Sequence, residues 1–454
     1  MAIEDNGYPA PEDASRVYDD IDFNRAVQCY RLFFPTVSGS QLFSGPAPLG
    51  LIPNKVFGTL ETEPKHVGLT LNSDTPYAPI LLDLRDGPMV IELPPGPLIC
   101  VAMDINQRWV HDMGLPGPDA GNGGKHILLP PDYDGEVPDG YFTGRATSYR
   151  VLAGIRSLPV GGDVAAATKR LTTVKVHPLN PGPDWTDPDF IDLTPYPQDT
   201  TPNAVERGLA FWRTLHEVIQ TEPAVPVYRF GYGELAELGI AKGLPFEPDE
   251  RLTDILTRAA DAAAEQLRVE AFADRRPDRV VWPDRHWEWA ALRFENGDFD
   301  RPDSIDTGAR DKWFYQAIAA SPAMFRRDPQ AGSLYWLGLR DADGDYLDGS
   351  STYRLTVPLP VPARLFWSVT VYDARTRSQL QNDKGRAVVS SLFDLAGAGG
   401  SSIDLRFGPH APESSDTHWV QTIPGVGWFV YFRIYGPDAA AFDGTWSLPD
   451  FVRE

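Results

Sequence analysis

Residues 428–435 have the sequence WFVYFRIY, and its alternation is the strongest indication of the fold. Side chains alternate between the two faces of a β-strand, so Trp428, Val430, Phe432 and Ile434 lie on one face. Phe429, Tyr431, Arg433 and Tyr435 lie on the other. A solvent-exposed face would be rich in Lys, Glu and Thr. A face of Tyr and Arg instead suits a planar, anionic or hydrogen-bonding partner, either a ligand or a second protein surface.

Residues 367–372, WSVTVY, repeat the pattern. Trp367, Val369 and Val371 share one predicted face, and Ser368, Thr370 and Tyr372 share the other. The two segments predict neighbouring strands of a sheet in the last third of the chain. One face of this sheet is apolar and the other carries hydroxyl and guanidinium groups.

The N-terminal part of the chain also contains short apolar runs that are separated by turn-forming residues, which predicts further strands. Asp86-Gly87 separates two apolar runs at residues 80–84 and 89–93, which predicts a hairpin. Helical spacing predicts an opening helix over Asp20–Phe34, ending at Pro35, and several helices between residues 199 and 328. We therefore predict a mainly β fold with a helical insert, of the α+β class. Two β-sandwich or jelly-roll-like domains (residues 1–198 and 333–454) are joined by a helical segment (199–332).

Charge and cysteine content limit the classes of partner. The 454 residues carry a net charge of −22 with a pI near 4.7, which disfavours nucleic acid and anionic membranes. Two cysteines do not form a disulfide framework. The N-terminus lacks the pattern of a signal peptide, and no apolar run is long enough to span a bilayer. We expect a soluble, cytoplasmic protein with a small-molecule substrate. The sequence is compatible with a homo-oligomer.

Several motifs resemble those of a known family. The N-terminal half contains NSDTPY at 72–77, and the C-terminal half contains FWSVTVYD at 366–373, RIYGP at 433–437 and DGTW at 443–446. Together they resemble the family that joins domain of unknown function 1254 to domain of unknown function 1214. The resemblance covers nearly the whole chain. It implies two β-sandwich-like domains with a helical segment, and ester or phosphoester hydrolysis has been suggested within the family.

The candidate catalytic residues come from these motifs and from a dense set of titratable groups between Asp104 and His126. Arg433, with Tyr372 and Tyr435, would bind and polarise an anionic or carbonyl group. Asp74, Asp104 or His111 would supply the general base. The further candidate substrate-binding residues are Asn72, Thr75, Tyr77, Trp109, Trp367 and Arg386. The structural alternative for residues 72–77 is an Asx-turn, in which Asn72 and Asp74 accept hydrogen bonds from local backbone amides.

No cofactor motif is detected. The spacing of a phosphate-binding loop fails at Gly121–His126, and the nucleophile elbow, HExxH and CxxC motifs are missing. The acidic turn at residues 341–349 has the wrong register for an EF-hand. The sequence is compatible with a divalent metal bound near His111, Asp112 and His126, although most loop histidines are not metal ligands.

Two functions from different classes fit this sequence. The first is a small-molecule hydrolase that acts on an ester or phosphoester where the two β-domains meet. The alternative is a non-catalytic β-sandwich protein that binds a carbohydrate or hydrophobic ligand on its aromatic face. A His or Asp close to the Arg–Tyr face would favour the enzyme.

Overall fold

A computed structural model describes residues 4–5, 8–198, 207–293, 297–329, 332–395, 399–413 and 418–454. The strands of the N-terminal part are β1 (Glu4–Asp5), β2 (Tyr8–Pro9), β3 (Val56–Thr59), β4 (Tyr77–Asp83), β5 (Met89–Leu93), β6 (Leu98–Asp104), β7 (Trp109–Gly114), β8 (Gly124–Leu129), β9 (Tyr141–Arg145), β10 (Arg150–Ser157), β11 (Lys175–Pro178) and β12 (Asp189–Asp192). The C-terminal part follows with β13 (Trp287–Trp289), β14 (Ser333–Gly338), β15 (Tyr353–Pro358), β16 (Ala363–Asp373), β17 (Val388–Ser390), β18 (Ser402–Gly408), β19 (His418–Gln421), β20 (Trp428–Pro437) and β21 (Val452–Arg453). The helices are α1 (Pro11–Ser44), α2 (Val164–Leu171), α3 (Leu209–Thr221), α4 (Arg229–Glu237), α5 (Glu250–Phe272), α6 (Thr307–Gln316) and α7 (Pro322–Phe325).

The N-terminal β-domain consists of two packed sheets, ordered β4-β10-β6-β7 and β11-β5-β8-β9. Alternation in β4 and β10 directs Ile80, Ala153 and Ile155 into the core between the sheets. The opposite face of the first sheet, which carries Tyr77 and Arg156, turns towards the rest of the protein. This outward face becomes one wall of the candidate site.

The C-terminal β-domain pairs a sheet ordered β13-β14-β20-β16-β17 with a sheet ordered β19-β18-β15-β21. The predicted apolar face of residues 428–435 lies between the two sheets, where Trp367 stacks on Phe432 with ring centroids 5.3 Å apart. The opposite face, with Tyr372, Phe429 and Tyr431, packs against the helices. The Tyr–Arg face therefore contacts other parts of the protein instead of solvent, because the helices and the N-terminal domain cover it.

Helix α1 is longer than the predicted Asp20–Phe34, because it continues through Pro35 to Ser44. Proline has no N–H group, so the carbonyl of Arg31, four residues earlier, loses its helical donor. Arg310 of α6 replaces that donor, with contacts of 3.4 Å to the Arg31 oxygen and 2.7 Å to the Leu32 oxygen. A tertiary contact thus keeps helical a segment that the local sequence predicts to end.

The α+β class is confirmed, but the fold is 27% helical and 29% strand, so it is mixed rather than mainly β. The additional helix comes largely from α1, which packs on α5, α3 and α4. The described strands form no closed barrel. Parallel pairs β8–β9 and β18–β19 occur in the two domains, a feature that an all-antiparallel jelly roll lacks. In the part of the chain that the structure describes, no helix combines the length and apolar character needed to cross a bilayer.

Candidate functional site

A cavity of about 410 Å³ lies where the two β-domains meet the helical region. One wall is the outward face of β4, β10, β6 and β7, and another is the Tyr–Arg face of β14 and β20. Further lining comes from the loop at residues 67–72, the segment at 313–324, the C-terminal end of α1 with the residues that follow it, and Leu193, Pro197 and Gln198. The volume is in the range of pockets that enclose a small molecule.

The loop at residues 70–73, which includes the start of the NSDTPY motif, joins the two β-domains beside this cavity. The Tyr372 hydroxyl donates to the Leu71 carbonyl at 2.7 Å. Arg433 donates to the Thr70 carbonyl at 2.6 Å and to the Tyr372 hydroxyl at 2.6 Å. Ser73 donates to Gln379 at 2.8 Å. Arg433 and Tyr372 therefore meet, as their shared strand face predicted, and their hydrogen bonds hold the interface between the domains.

Asn72 forms the turn of the structural alternative and also points towards the cavity. Its Oδ1 accepts from the backbone amides of Asp74 (2.9 Å) and Thr75 (3.2 Å), as in an Asx-turn. Its Nδ2 donates to the Tyr77 hydroxyl at 2.5 Å. Asn72 and Tyr77 line the cavity, whereas Thr75 is buried in the turn. The turn and a binding role are thus compatible at Asn72.

Asp74 is buried beneath the cavity rather than in its lining. Its Oδ2 accepts from the Ser368 hydroxyl at 2.7 Å. Its Oδ1 has no partner among the described residues. Burial raises the pKa of Asp74, against the opposing effects of Ser368 and Arg433. In this position Asp74 supports the Arg433 region and does not reach a ligand.

Two arginines bring positive charge to the cavity from opposite sheets. Arg433 lies on β20 opposite Tyr335 and Ser368, and Arg156 lies on β10 opposite Tyr77 and Ile99. Both line the cavity. The guanidinium of Arg156 makes no hydrogen bond or ion pair within the described part of the chain, and it lies 5.9 Å from the centroid of the Tyr435 ring. Arg156 is therefore a cation whose donors are available to a ligand.

Asp112 on β7 supplies a carboxyl group to the same cavity. It lies opposite Val101 of β6 and is 8% exposed. Burial raises the pKa of Asp112 to about 7, and the Ser321 hydroxyl and the Ala323 backbone act in the opposite direction. A carboxyl with such a pKa exchanges protons near neutral pH, which suits a general acid or base.

His111, the neighbour of Asp112, points to the opposite face of β7 and does not line the cavity. Its Nε2 lies 3.1 Å from Nδ1 of His126, whose Nε2 is 3.5 Å from Asp119. Burial lowers the pKa of both histidines to about 4, so both rings are neutral at pH 7. The described residues contain no group of three or more side chains placed to hold a metal ion.

Asp104 and Trp109 also lie outside the cavity lining. Asp104 ends β6, where its Oδ1 accepts from the amides of Asn106 (2.9 Å) and Arg108 (3.0 Å), and burial raises its pKa to about 6. Trp109 packs so closely on Gly297 that a Cβ added there would lie 2.4 Å from the Trp109 Cβ. Asp104 therefore organises the turn between β6 and β7, and Trp109 packs against the segment that contains Gly297.

The remaining predicted binding residues also lie outside the cavity lining. Trp367 is a correction: it belongs to the core between the C-terminal sheets, because its strand parity is opposite to that of Ser368 and Tyr372. Arg386 lies at the surface, 2.6 Å from Asp394. Tyr435 is buried and stacks on Phe366 at 4.1 Å, next to Arg156.

Sequence reasoning missed Arg156, and it named Asp112 only as a candidate metal-binding residue beside His111 and His126. A signal for Arg156 exists in residues 151–156, VLAGIR, where Val151, Ala153 and Ile155 form an apolar face and Arg156 lies on the other face with Leu152 and Gly154. By the same alternation, the side chains of Asp112 and His111 point to opposite faces of β7. Alternation indicates the face, whereas the packing of the other domain makes that face a cavity wall.

Two family models match the chain. A protein family of unknown function, DUF1254, matches residues 56–178, and a second, DUF1214, matches residues 332–439. No curated protein matches. Among solved structures, the VPA0106 protein from Vibrio parahaemolyticus is similar, with a TM-score of 0.60 and 18% identity over 95% of this chain and 100% of that one. This likeness concerns the fold alone. A putative uncharacterized protein from Burkholderia cenocepacia has a TM-score of 0.37 and 11% identity over 97% of both chains.

Proposed function

The chain belongs to the family that combines a DUF1254 domain with a DUF1214 domain, and we propose that it is a small-molecule enzyme with its active site in the cavity between them. The observation that carries the proposal is that Asp112 and Arg156 line one largely apolar cavity. One is a carboxyl group with a pKa near neutrality and the other a cation with available donors. Such a pair is a general base and an electrostatic stabiliser.

The sheet register gives the spacing of this pair. Arg156 and Asp112 are two strands apart and offset by two residues, because Ile99 faces Arg156 and Val101 faces Asp112. Their Cα atoms are therefore about 12 Å apart. The long Arg side chain and the shorter Asp side chain can both reach a substrate that lies between them.

Hydrolysis of a carboxylic ester is the reaction that this arrangement supports best. Ionised Asp112 would take a proton from water while the water oxygen attacks the ester carbonyl. Arg156 would stabilise the negative charge that develops on the carbonyl oxygen. When the tetrahedral intermediate collapses, protonated Asp112 would return the proton to the departing alkoxide. Phosphoesters fit less well, because their reacting group carries more charge into a largely apolar space.

A non-catalytic binding protein is the second candidate. The apolar character of the walls favours it, since residues such as Leu69, Ile99 and Trp313 provide surface for a hydrophobic ligand without any chemistry. The two candidates differ in the role of Asp112. An enzyme needs its proton transfer, whereas a binding protein does not.

The test is a screen of the purified protein against p-nitrophenyl esters of increasing acyl length, phosphoesters and lactones, each with and without a chelator. The wild type should hydrolyse esters with a kcat/KM that rises with pH around 7. Asp112→Asn should lower kcat by about 10²- to 10⁴-fold. Asp134→Asn, which removes an exposed carboxylate, is the matched control and should leave the rate unchanged.

Two results would contradict the enzyme. Full activity in Asp112→Asn would remove the assigned base. Binding of the substrates by both wild type and Asp112→Asn, with no turnover in either, would support the binding protein instead.

A further inference from the structure

The charges around the cavity are not balanced. Two guanidinium groups, Arg156 and Arg433, line it, and the carboxylate that acts on both is Asp74. Burial raises the pKa of Tyr372 and Tyr435, so these phenols are neutral at pH 7 and do not supply the missing negative charge. With Asp74 ionised and Asp112, whose pKa is about 7, in its protonated form, the group has one positive charge in excess.

The excess charge lies on Arg156. Arg433 already donates to the Thr70 carbonyl and the Tyr372 hydroxyl, and both contacts hold the two domains together. Arg156 has no acceptor among the described residues, although it faces the cavity. A planar guanidinium with open donors matches a carboxylate, which accepts two parallel hydrogen bonds from it.

Most of the remaining cavity surface is apolar, although Asn72, Tyr77 and Asp112 also line it. Ile99 and Val101 of β6 and Leu152 of β10 line its sheet wall, and Leu69, Trp313 and Met324 line the opposite side. These side chains favour a hydrocarbon or aromatic group and offer no hydrogen bonds to a sugar. A ligand that satisfies both regions is therefore amphiphilic, with one anionic end.

We propose that the cavity binds apolar monocarboxylates, with the carboxylate on Arg156 and the hydrocarbon body against β6 and the segment at 313–324. The inference rests on the proposed function only for the location of the site, and it names the acid that ester hydrolysis would release. A single negative charge balances the excess on Arg156. A phosphate dianion would overcompensate it and is the competing occupant in the test.

The experiment is calorimetric titration of the full-length protein with decanoate, decyl phosphate, decanol and decyltrimethylammonium. Wild type should bind decanoate tightest, decyl phosphate and decanol at least about tenfold more weakly, and the cation not at all. Arg156→Met should weaken decanoate binding by about 10- to 100-fold while leaving decanol binding unchanged. Arg386→Met is the matched control, because it removes the same charge from the surface.

Absence of decanoate binding to wild type, tighter binding of decyl phosphate, or equal decanoate binding by Arg156→Met would each overturn the inference. Circular dichroism of Arg156→Met verifies that the variant is folded. Asp112→Asn separates this inference from the proposed function. If that variant binds decanoate as wild type does and no ester is hydrolysed by either protein, the carboxylate site stands and the enzyme does not.

Discussion

Asp112 should make the stability of the protein depend on pH in an unusual direction. Burial raises its pKa in the folded state to about 7, from an ordinary value of 3.8. Between these two values the folded protein holds a proton that the unfolded chain has lost. Stability from this group therefore falls as the pH rises from about 4 to 7, and the full penalty is present above pH 7.

The magnitude follows from the two pKa values. Their difference corresponds to about 4 kcal/mol of destabilisation above pH 7. Asp112→Asn removes the charge but keeps a carbonyl oxygen for Ser321, so we expect it to stabilise the protein by about 2 to 4 kcal/mol at pH 8. Near pH 4 the gain should vanish. For 454 residues that unfold in one transition, 1 kcal/mol corresponds to about 1 °C in Tm.

Differential scanning calorimetry at pH 4.5 and pH 8 measures this effect. Asp112→Asn should raise Tm by about 2 to 4 °C at pH 8 and by less than about 1 °C at pH 4.5. Asp134→Asn is the exposed control and should shift Tm little at either pH. Asp74 and Asp104 titrate in both proteins, so the comparison is the difference between variant and wild type. A Tm difference that is independent of pH, or larger at pH 4.5, would refute the assignment of a raised pKa to Asp112.

Three further changes test other parts of the structure. Arg156→Met should raise the Tm of the ligand-free protein by about 1 to 2 °C, because it removes an unpaired charge from the cavity wall; a lower Tm would contradict this. Gly39→Ala should lower Tm by several degrees, since a Cβ there would lie 2.2 Å from a backbone carbonyl, whereas Gly233→Ala, a helical glycine with nothing within 4 Å, should leave Tm equal or slightly higher. The thiols of Cys29 and Cys100 should resist Ellman's reagent in the native protein and react fully in denaturant, because burial raises the pKa of Cys29 to about 12 and raises the pKa of Cys100 well above its ordinary value; rapid native labelling would show that these sites open.

Local sequence determined the elements whose signals are themselves local. The alternation of residues 428–435 predicted the two faces of β20, and the same rule placed Tyr372 with Arg433. The spacing of polar groups in NSDTPY predicted the Asx-turn at Asn72. These predictions succeeded because hydrogen bonds and side-chain direction within one strand or turn depend on neighbours only a few residues away.

Helix ends and site membership required tertiary contacts. α1 passes through Pro35 because Arg310, 279 residues later than Arg31, donates to the carbonyl that proline leaves free. Trp367 was assigned to the site from its motif, yet its parity places it in the core between the sheets. A distant element decides where α1 ends, whereas the alternation of residues 367–372 already placed Trp367 on the apolar face.

The sequence alone determined which residues share a face, and the tertiary structure decided which faces enclose a cavity. The Ser368–Asp74 hydrogen bond joins residues 294 positions apart, and this docking of loop on sheet closes the space that Arg156 and Asp112 line. Strand periodicity of two gives each side chain one of two directions. Whether that direction ends in solvent, in a core or in a cavity depends on how whole sheets and helices pack, which is a property of the complete fold.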